Sequence, residues 1–531
     1  MPVGYLSLVL HAHLPFVRHP EHDDCLEEDW LFEAISETYI PLLEMMESLE
    51  RDEVDWKLTI SVSPTLAAML ADPLLQYRYV RHLDNLLSLC HKELERTRWQ
   101  PEFLALAEMY AARFQRCKQL FVNKYGYNLL TGFRHFFERG NLELITCAAT
   151  HGFLPLMPNE RARRAQVEIG CREFERHFGR RPQGIWLPEC AYLPGVDQLL
   201  RDSGIRYFFV ETHGVLHASP RPRHGVYAPV QCPGSGVAAF ARDAESSKQV
   251  WSSVEGYPGD PVYREFYRDV GFDLDLDYVK PHLHSLGVRT NLGIKYYRIT
   301  GPGDLSERQP YDRAAALKKA AEHAGNFMFY REKQVEWLAG QMDRPPLIVA
   351  PYDAELFGHW WFEGPEWINF LLRKLDAEQD KVKALTPREY LDRFPAAQVA
   401  QPPLSSWGAN GYCEVWLDPS NDYIYPHLHE LADRMSELAD ANPEPKPLTR
   451  RALNQAAREL LLAQASDWAF IMKTGTMVEY ADNRTKWHVF NFNQLYDQLQ
   501  APGDQIDEQF LADLESRHNV FPEIDYRLYA S

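Results

Sequence analysis

Seven short β-rich runs, spread over the first two thirds of the chain, each lead straight into polar residues. Residues 5–10 run into His11 and His13, 57–62 into Ser63-Pro64, 142–148 into Thr150-His151, and 185–187 into Pro188-Glu189. Residues 207–210 run into Glu211-Thr212-His213, 237–241 into Arg242-Asp243, and 347–350 into Tyr352-Asp353. Segments with helical apolar spacing, such as 161–178 and 195–203, separate most of them. Strands alternating with helices imply a parallel sheet, because parallel neighbours need a long crossover. Closed barrels and open doubly wound sheets both carry functional groups just beyond the C-terminal strand ends. A single polar residue there is an ordinary helix cap or solvated turn; seven in succession gather polar groups on one face.

Other segments interrupt the alternation. Residues 74–137 place Leu, Tyr, Phe and Met at helical spacing among many charges, which predicts an inserted helical subdomain with its aromatics in the core. Residues 251–312 are too long for an ordinary loop and predict a binding surface. The Ala-, Pro-, Ser- and Gly-rich stretch 394–411 reads as a linker, and Asn442-Pro-Glu-Pro-Lys-Pro447 as a second break. Beyond it, 448–473 predicts one helix with Thr449 as its cap. The expected division is a barrel of 1–73 and 138–404, the insert 74–137, and a helical domain 405–531 that contributes to the active-site cleft.

Composition narrows the partners. A formal net charge of -19 on 531 residues repels nucleic acid and anionic membrane surfaces but not a neutral polymer. The N-terminus lacks a basic leader and reads as a first strand, and no apolar run approaches the ~18 residues of a membrane span. The eight cysteines show no CxxC or framework spacing, which predicts reduced thiols in a cytoplasmic protein.

Glu189 and Asp353 each end an apolar run amid aromatic residues. Two such carboxylates are what cleavage of a glycosidic bond requires, one to attack the sugar and one to protonate the leaving oxygen. A competing reading is a metal-dependent hydrolase, since His11-x-His13 at a first strand end is also how barrel metal sites begin, with His151, His213 and Asp353 as further ligands. Neutral histidines serve sugar hydroxyls equally well, and the tryptophans do nothing for a metal. Cys190 as a nucleophile lacks a basic setting. Trp186 and Trp468 read as core, whereas Trp407 and Trp416, among Gly, Ser and Pro, read as faces for pyranose rings.

His11-Ala-His-Leu-Pro15, Leu142-Glu-Leu-Ile-Thr-Cys-Ala-Ala-Thr-His151, Ile185-Trp-Leu-Pro-Glu-Cys190, Ala350-Pro-Tyr-Asp-Ala-Glu-Leu-Phe-Gly-His-Trp360 and Ala465-Ser-Asp-Trp468 resemble the five sequence regions of glycoside hydrolase family 57. The resemblance spans almost the whole chain. It implies an α/β fold, a distorted, TIM-like (β/α)7 barrel, acting on α-glucans such as amylose and glycogen with retention of configuration and without metal or other cofactor. It implies Glu189 as nucleophile and Asp353 as general acid/base. His11, His13 and His151 would bind the sugar at the cleavage point with Asp467 in support, and Trp30, Arg264, Phe272, Trp360, Trp407 and Trp416 would hold donor and acceptor chains. The Ser405-Ser-Trp-Gly408 and Trp416 pattern is similar to the family's branching members, and the expected protein is a cytoplasmic monomer.

One departure stands out. Branching members carry a tyrosine over the active site on the loop after the fifth strand, and Cys232-Pro-Gly-Ser-Gly-Val-Ala-Ala-Phe240 contains none. Branching requires a sugar hydroxyl to outcompete ~55 M water at the intermediate. An amylase-type hydrolase is therefore the alternative.

Overall fold

The computed structural model describes residues 2–252, 255–285, 287–502 and 505–531. Its strands are β1 (Gly4–Ala12), β2 (Leu58–Val62), β3 (Leu142–Cys147), β4 (Gly184–Trp186), β5 (Tyr207–Val210), β6 (Val230–Gln231), β7 (Ala238–Ala241), β8 (Leu347–Asp353), β9 (Val382–Ala384) and β10 (Gln398–Val399). They form one curled sheet in the order β10-β6-β7-β5-β4-β3-β2-β1-β8, with β9 also on β1. The expected seven runs are β1 to β5, β7 and β8, which pair with one another only in parallel, whereas β6 runs antiparallel to β7. β7 and β8 are not laddered together; the seam is bridged where the Asp243 N–H donates to the Val349 carbonyl (2.9 Å).

Burial on both faces explains why β1 reads GYLSLVLHA, nearly continuous in apolar residues, and why every one of its residues is buried. Register then sets a polar face at the C-terminal strand ends. His11 lies opposite Ser61 of β2 and Asp353 of β8, so three polar side chains emerge at one level.

The segment between β2 and β3 is helical: Pro73–Thr97, Pro101–Gln119 and Leu130–Arg139 are its main helices. Asp72 caps the first by accepting from the Leu74 and Leu75 amides. These helices share one apolar core with the barrel, where Tyr79, Leu83, Tyr110 and Phe121 join Leu6, Leu8 and Leu10. They also hold the described part of the 251–312 excursion, whose residues 253, 254 and 286 lie outside the described residues. Glu93 accepts from both Tyr278 Oη and Tyr296 Oη at 2.8 Å.

Three expectations fail here. First, residues 394–411 are no slack linker: β10 pairs with β6, and Ser405 exchanges backbone hydrogen bonds with Tyr192. Second, 448–473 is not one helix capped by Thr449. A helix runs Pro447–Ala463, the chain turns extended at Ala465, and a second helix covers Ser466–Thr474. The break is made by docking, because Ala465 bridges to Gly152 and the Ser466 amide donates to the His151 carbonyl (3.1 Å). Third, the tyrosine-free loop cannot shield the site. It joins β6 to the start of β7, where the Ala238 amide meets the Arg206 carbonyl, and so lies at the N-terminal strand ends, opposite the polar face. A missing tyrosine there has no bearing on water at the intermediate.

Candidate active site

Glu189 follows β4 and Pro188 at a sharp turn. Both Glu189 (φ 62°) and Cys190 (φ 49°) take the left-handed conformation, uncommon for residues with a side chain and found where a site over-determines the backbone. The turn is pinned by the Trp407 amide, which donates to the Glu189 carbonyl (2.9 Å). The carboxylate is pinned as well. Oε2 accepts from Trp407 Nε1 at 2.7 Å and Oε1 from Ser466 Oγ at 2.9 Å. Burial pushes the Glu189 carboxyl up to about 7, the Trp407 hydrogen bond works against this, and the Asp467 charge adds to it. Cys190 beside it is buried, and burial pushes its thiol well up, so it is no nucleophile.

Three histidines stack beneath. His13 and His151 lie 3.8 Å apart between ring centres, His11 and His151 5.0 Å, and the far side of His11 rests on Trp186 at 4.7 Å. Counting protons assigns their charges. Thr65 Oγ1 donates to the Leu14 carbonyl, so Ser63 Oγ donates to Thr65 and must accept from His13 Nδ1 (2.8 Å). His13 Nε2 meets Asp467 at 3.0 Å, so both its nitrogens donate and the ring is an imidazolium. Burial alone would lower the His13 pKa; the Asp467 carboxylate overrides it and the pKa is raised. By the same count Ser466, which donates to Glu189, accepts from His151 Nδ1 (2.8 Å), while His151 Nε2 and His11 Nε2 share a hydrogen bond of 2.9 Å. These two rings are neutral, their pKa values held well down by burial and by the His13 charge.

Those bonds weigh against the metal reading. His11, Cys147 and His151, and likewise His13, His151 and Asp467, bring ligand atoms within 4.8 Å of one another. Every ring nitrogen of the three histidines is nevertheless committed to a hydrogen bond, and His213 Nε2 to the Gly411 carbonyl (2.9 Å). Nitrogens committed in this way offer a metal ion no free lone pair.

Asp353 ends β8, part-exposed to the cleft. Its carboxyl is held well above the usual range by burial, then by the charges of Glu355 and Glu189, against the Arg242 guanidinium. Arg242 is itself tied to Glu211 Oε2 at 2.7 Å. Trp30 is half-buried edge-on to Tyr480, Phe272 is exposed, and Trp360 is 52 % exposed with its ring on Phe266 (4.1 Å). These rings keep free surface for sugars. Two expected sugar-binding residues do not. Trp416 is 1 % exposed and stacked on Phe153, and Arg264 is spent on Glu37 Oε1 (3.0 Å) and the His359 carbonyl (3.3 Å). Trp407 sits in the site but aims its N–H at Glu189, not at a sugar. Ser466, Ser63, Tyr39 and Glu355 carry no part in the sequence reading; Ser466 alone had a signal, as the neighbour of Asp467, the one acid in the otherwise apolar-rich run 460–472.

Residues 7–403 match the model of glycosyl hydrolase family 57, and 427–529 match the 1,4-alpha-glucan branching enzyme C-terminal model. The chain belongs to glycosyl hydrolase family 57. Among relatives in the family, the 1,4-alpha-glucan branching enzyme of Thermococcus kodakarensis is 34% identical, over 99% of this chain and 79% of its own. Among solved structures, the branching enzyme of Pyrococcus horikoshii has a TM-score of 0.90 at 34% identity, covering 100% of this chain and 97% of that one. A structure described as the alpha-amylase AmyC of Thermotoga maritima has a TM-score of 0.93 at 46% identity, covering 100% and 99%. The likeness covers the curled parallel sheet and the C-terminal helices together.

Proposed function

We propose that this family 57 protein is a retaining 1,4-α-glucan branching enzyme with Glu189 as nucleophile and Asp353 as acid/base. The observation that carries the reading is the C-terminal region: it matches the branching-enzyme model, and it supplies Ser466 to Glu189 and Asp467 to His13. In the first step Glu189 attacks the anomeric carbon, the α-1,4 bond breaks, and Asp353 gives its proton to the departing O4. In the second, Asp353 takes the proton of an acceptor 6-hydroxyl, whose oxygen attacks the same carbon, forms the α-1,6 bond and frees Glu189. Such chemistry places the two carboxyls about 5 to 5.5 Å apart. The His11, His13 and His151 stack binds the sugar at the cleavage point, and Trp30, Phe272 and Trp360 hold the chains.

The substrate in this reading is a neutral polymer such as amylose or glycogen, and the protein a cytoplasmic monomer; the net charge of -19 supports the exclusion of nucleic acid. No described helix is long and apolar enough to cross a membrane. Amylase-type hydrolysis is the second reading, favoured by the description of the Thermotoga maritima relative. Incubation with amylose separates them: proton NMR should show new α-1,6 linkages exceeding new reducing ends. Reducing ends without branches would establish the hydrolase.

A further inference from the structure

Glu355, two residues beyond Asp353, has no part in the two steps above, yet it is among the most tightly held carboxylates near the site. Its Oε1 accepts from Tyr39 Oη at 2.5 Å and from the His13 backbone N–H at 3.2 Å. Both partners come from other elements: His13 follows β1, and Tyr39 ends a π-helical turn, Ile35–Tyr39, of the kind found at functional sites. The turn is locked from the far side by Gly358, where an added Cβ would lie 1.8 Å from the Glu37 carbonyl oxygen. The chain thus fixes Glu355 from β1, from this helix and from its own loop.

We propose that Glu355 is a positioning residue whose carboxylate, kept ionised by the Tyr39 hydroxyl and the His13 amide, keeps the proton on Asp353 between turnovers. Two neighbouring carboxyls that feel each other's charge do not both ionise readily, and the one that accepts two donors takes the charge. Asp353 accepts no hydrogen bond from any described residue, so the proton rests there. The other charges facing the pair are Glu189 and Arg242 on the Asp353 side and the His13 imidazolium on the Glu355 side, with His11 neutral opposite Asp353. Burial raises the pKa of both carboxyls, but Tyr39 draws that of Glu355 back, and Glu355 in turn raises that of Asp353. The inference rests on the assignment of Asp353 as acid/base.

The test is the pH profile of kcat for glucan transfer by the full-length enzyme. Activity is lost on the basic side as Asp353 loses its proton. Glu355→Gln keeps an acceptor for Tyr39 and His13 but removes the charge, so the Asp353 pKa falls and the basic limb should move down by about one unit or more. Tyr39→Phe, which makes Glu355 harder to ionise, should move it the same way by less. If both variants fold with normal circular dichroism and lower kcat evenly at every pH, Glu355 is only structural and the proposal is overturned. Asp353→Asn separates the two levels. Its residual activity should lack the basic limb; a limb that persists there would remove the acid/base assignment, and this proposal with it.

Discussion

At the scale of single residues, the site is a set of carboxylates whose proton states are fixed by their donors. In the proposed reaction Glu189 attacks as a carboxylate, so activity should rise with pH through about 7, and Asp353 acts as a protonated acid, so it should fall again above that. The Trp407 indole N–H is the chief force holding the Glu189 pKa down. Trp407→Phe keeps the ring edge against Trp186 but loses a hydrogen bond to a charge worth about 1.5–3 kcal/mol, so kcat should fall roughly 10- to 100-fold. The acid limb of the profile should also move to higher pH; an unmoved limb would deny Trp407 this role. Glu189 and Asp353 stand out in the sequence as candidates because a carboxylate directly after a short apolar run is conspicuous. Arg264 was misread because its partner, Glu37, lies 227 positions away, and nothing local marks an arginine that is already paired.

At the scale of elements, periodicity predicted the strands and misjudged the places where one element is bent to fit another. Residues 460–472 read as uninterrupted helix because their apolar spacing continues through Ala465. The contacts that break it come from the loop after β3, more than 300 residues earlier in the chain, and their result is that Ser466 reaches Glu189. The π-helical turn at Ile35–Tyr39 is equally silent in sequence. It meets Gly358, which has φ 111° and no room for a Cβ. Gly358→Ala should therefore cost about 3 kcal/mol or more, read as a lower denaturant midpoint, with loss of activity in step as Glu37 and Tyr39 are displaced. A cost below about 0.5 kcal/mol would show that the turn yields freely.

At the scale of the whole molecule, the barrel alone does not complete the site. The C-terminal helices bring Ser466 and Asp467 to it, and they are docked by a buried chain in which Glu459 accepts from His488 and His518 at 2.7 Å while Arg484 reaches the Phe16 carbonyl just past β1. Catalytic face and helical region thus meet at Glu189, the atom group on which the account turns. Its most direct test is to trap the sugar there. Asp353→Ala lacks the base for the second step, while a fluoride leaving group needs no acid for the first, so incubation with saturating α-maltotriosyl fluoride should let the glycosyl-enzyme accumulate. Mass spectrometry of the quenched protein should find one maltotriosyl adduct, on the peptide that contains Glu189. No adduct, or an adduct on any other residue, would contradict the assignment.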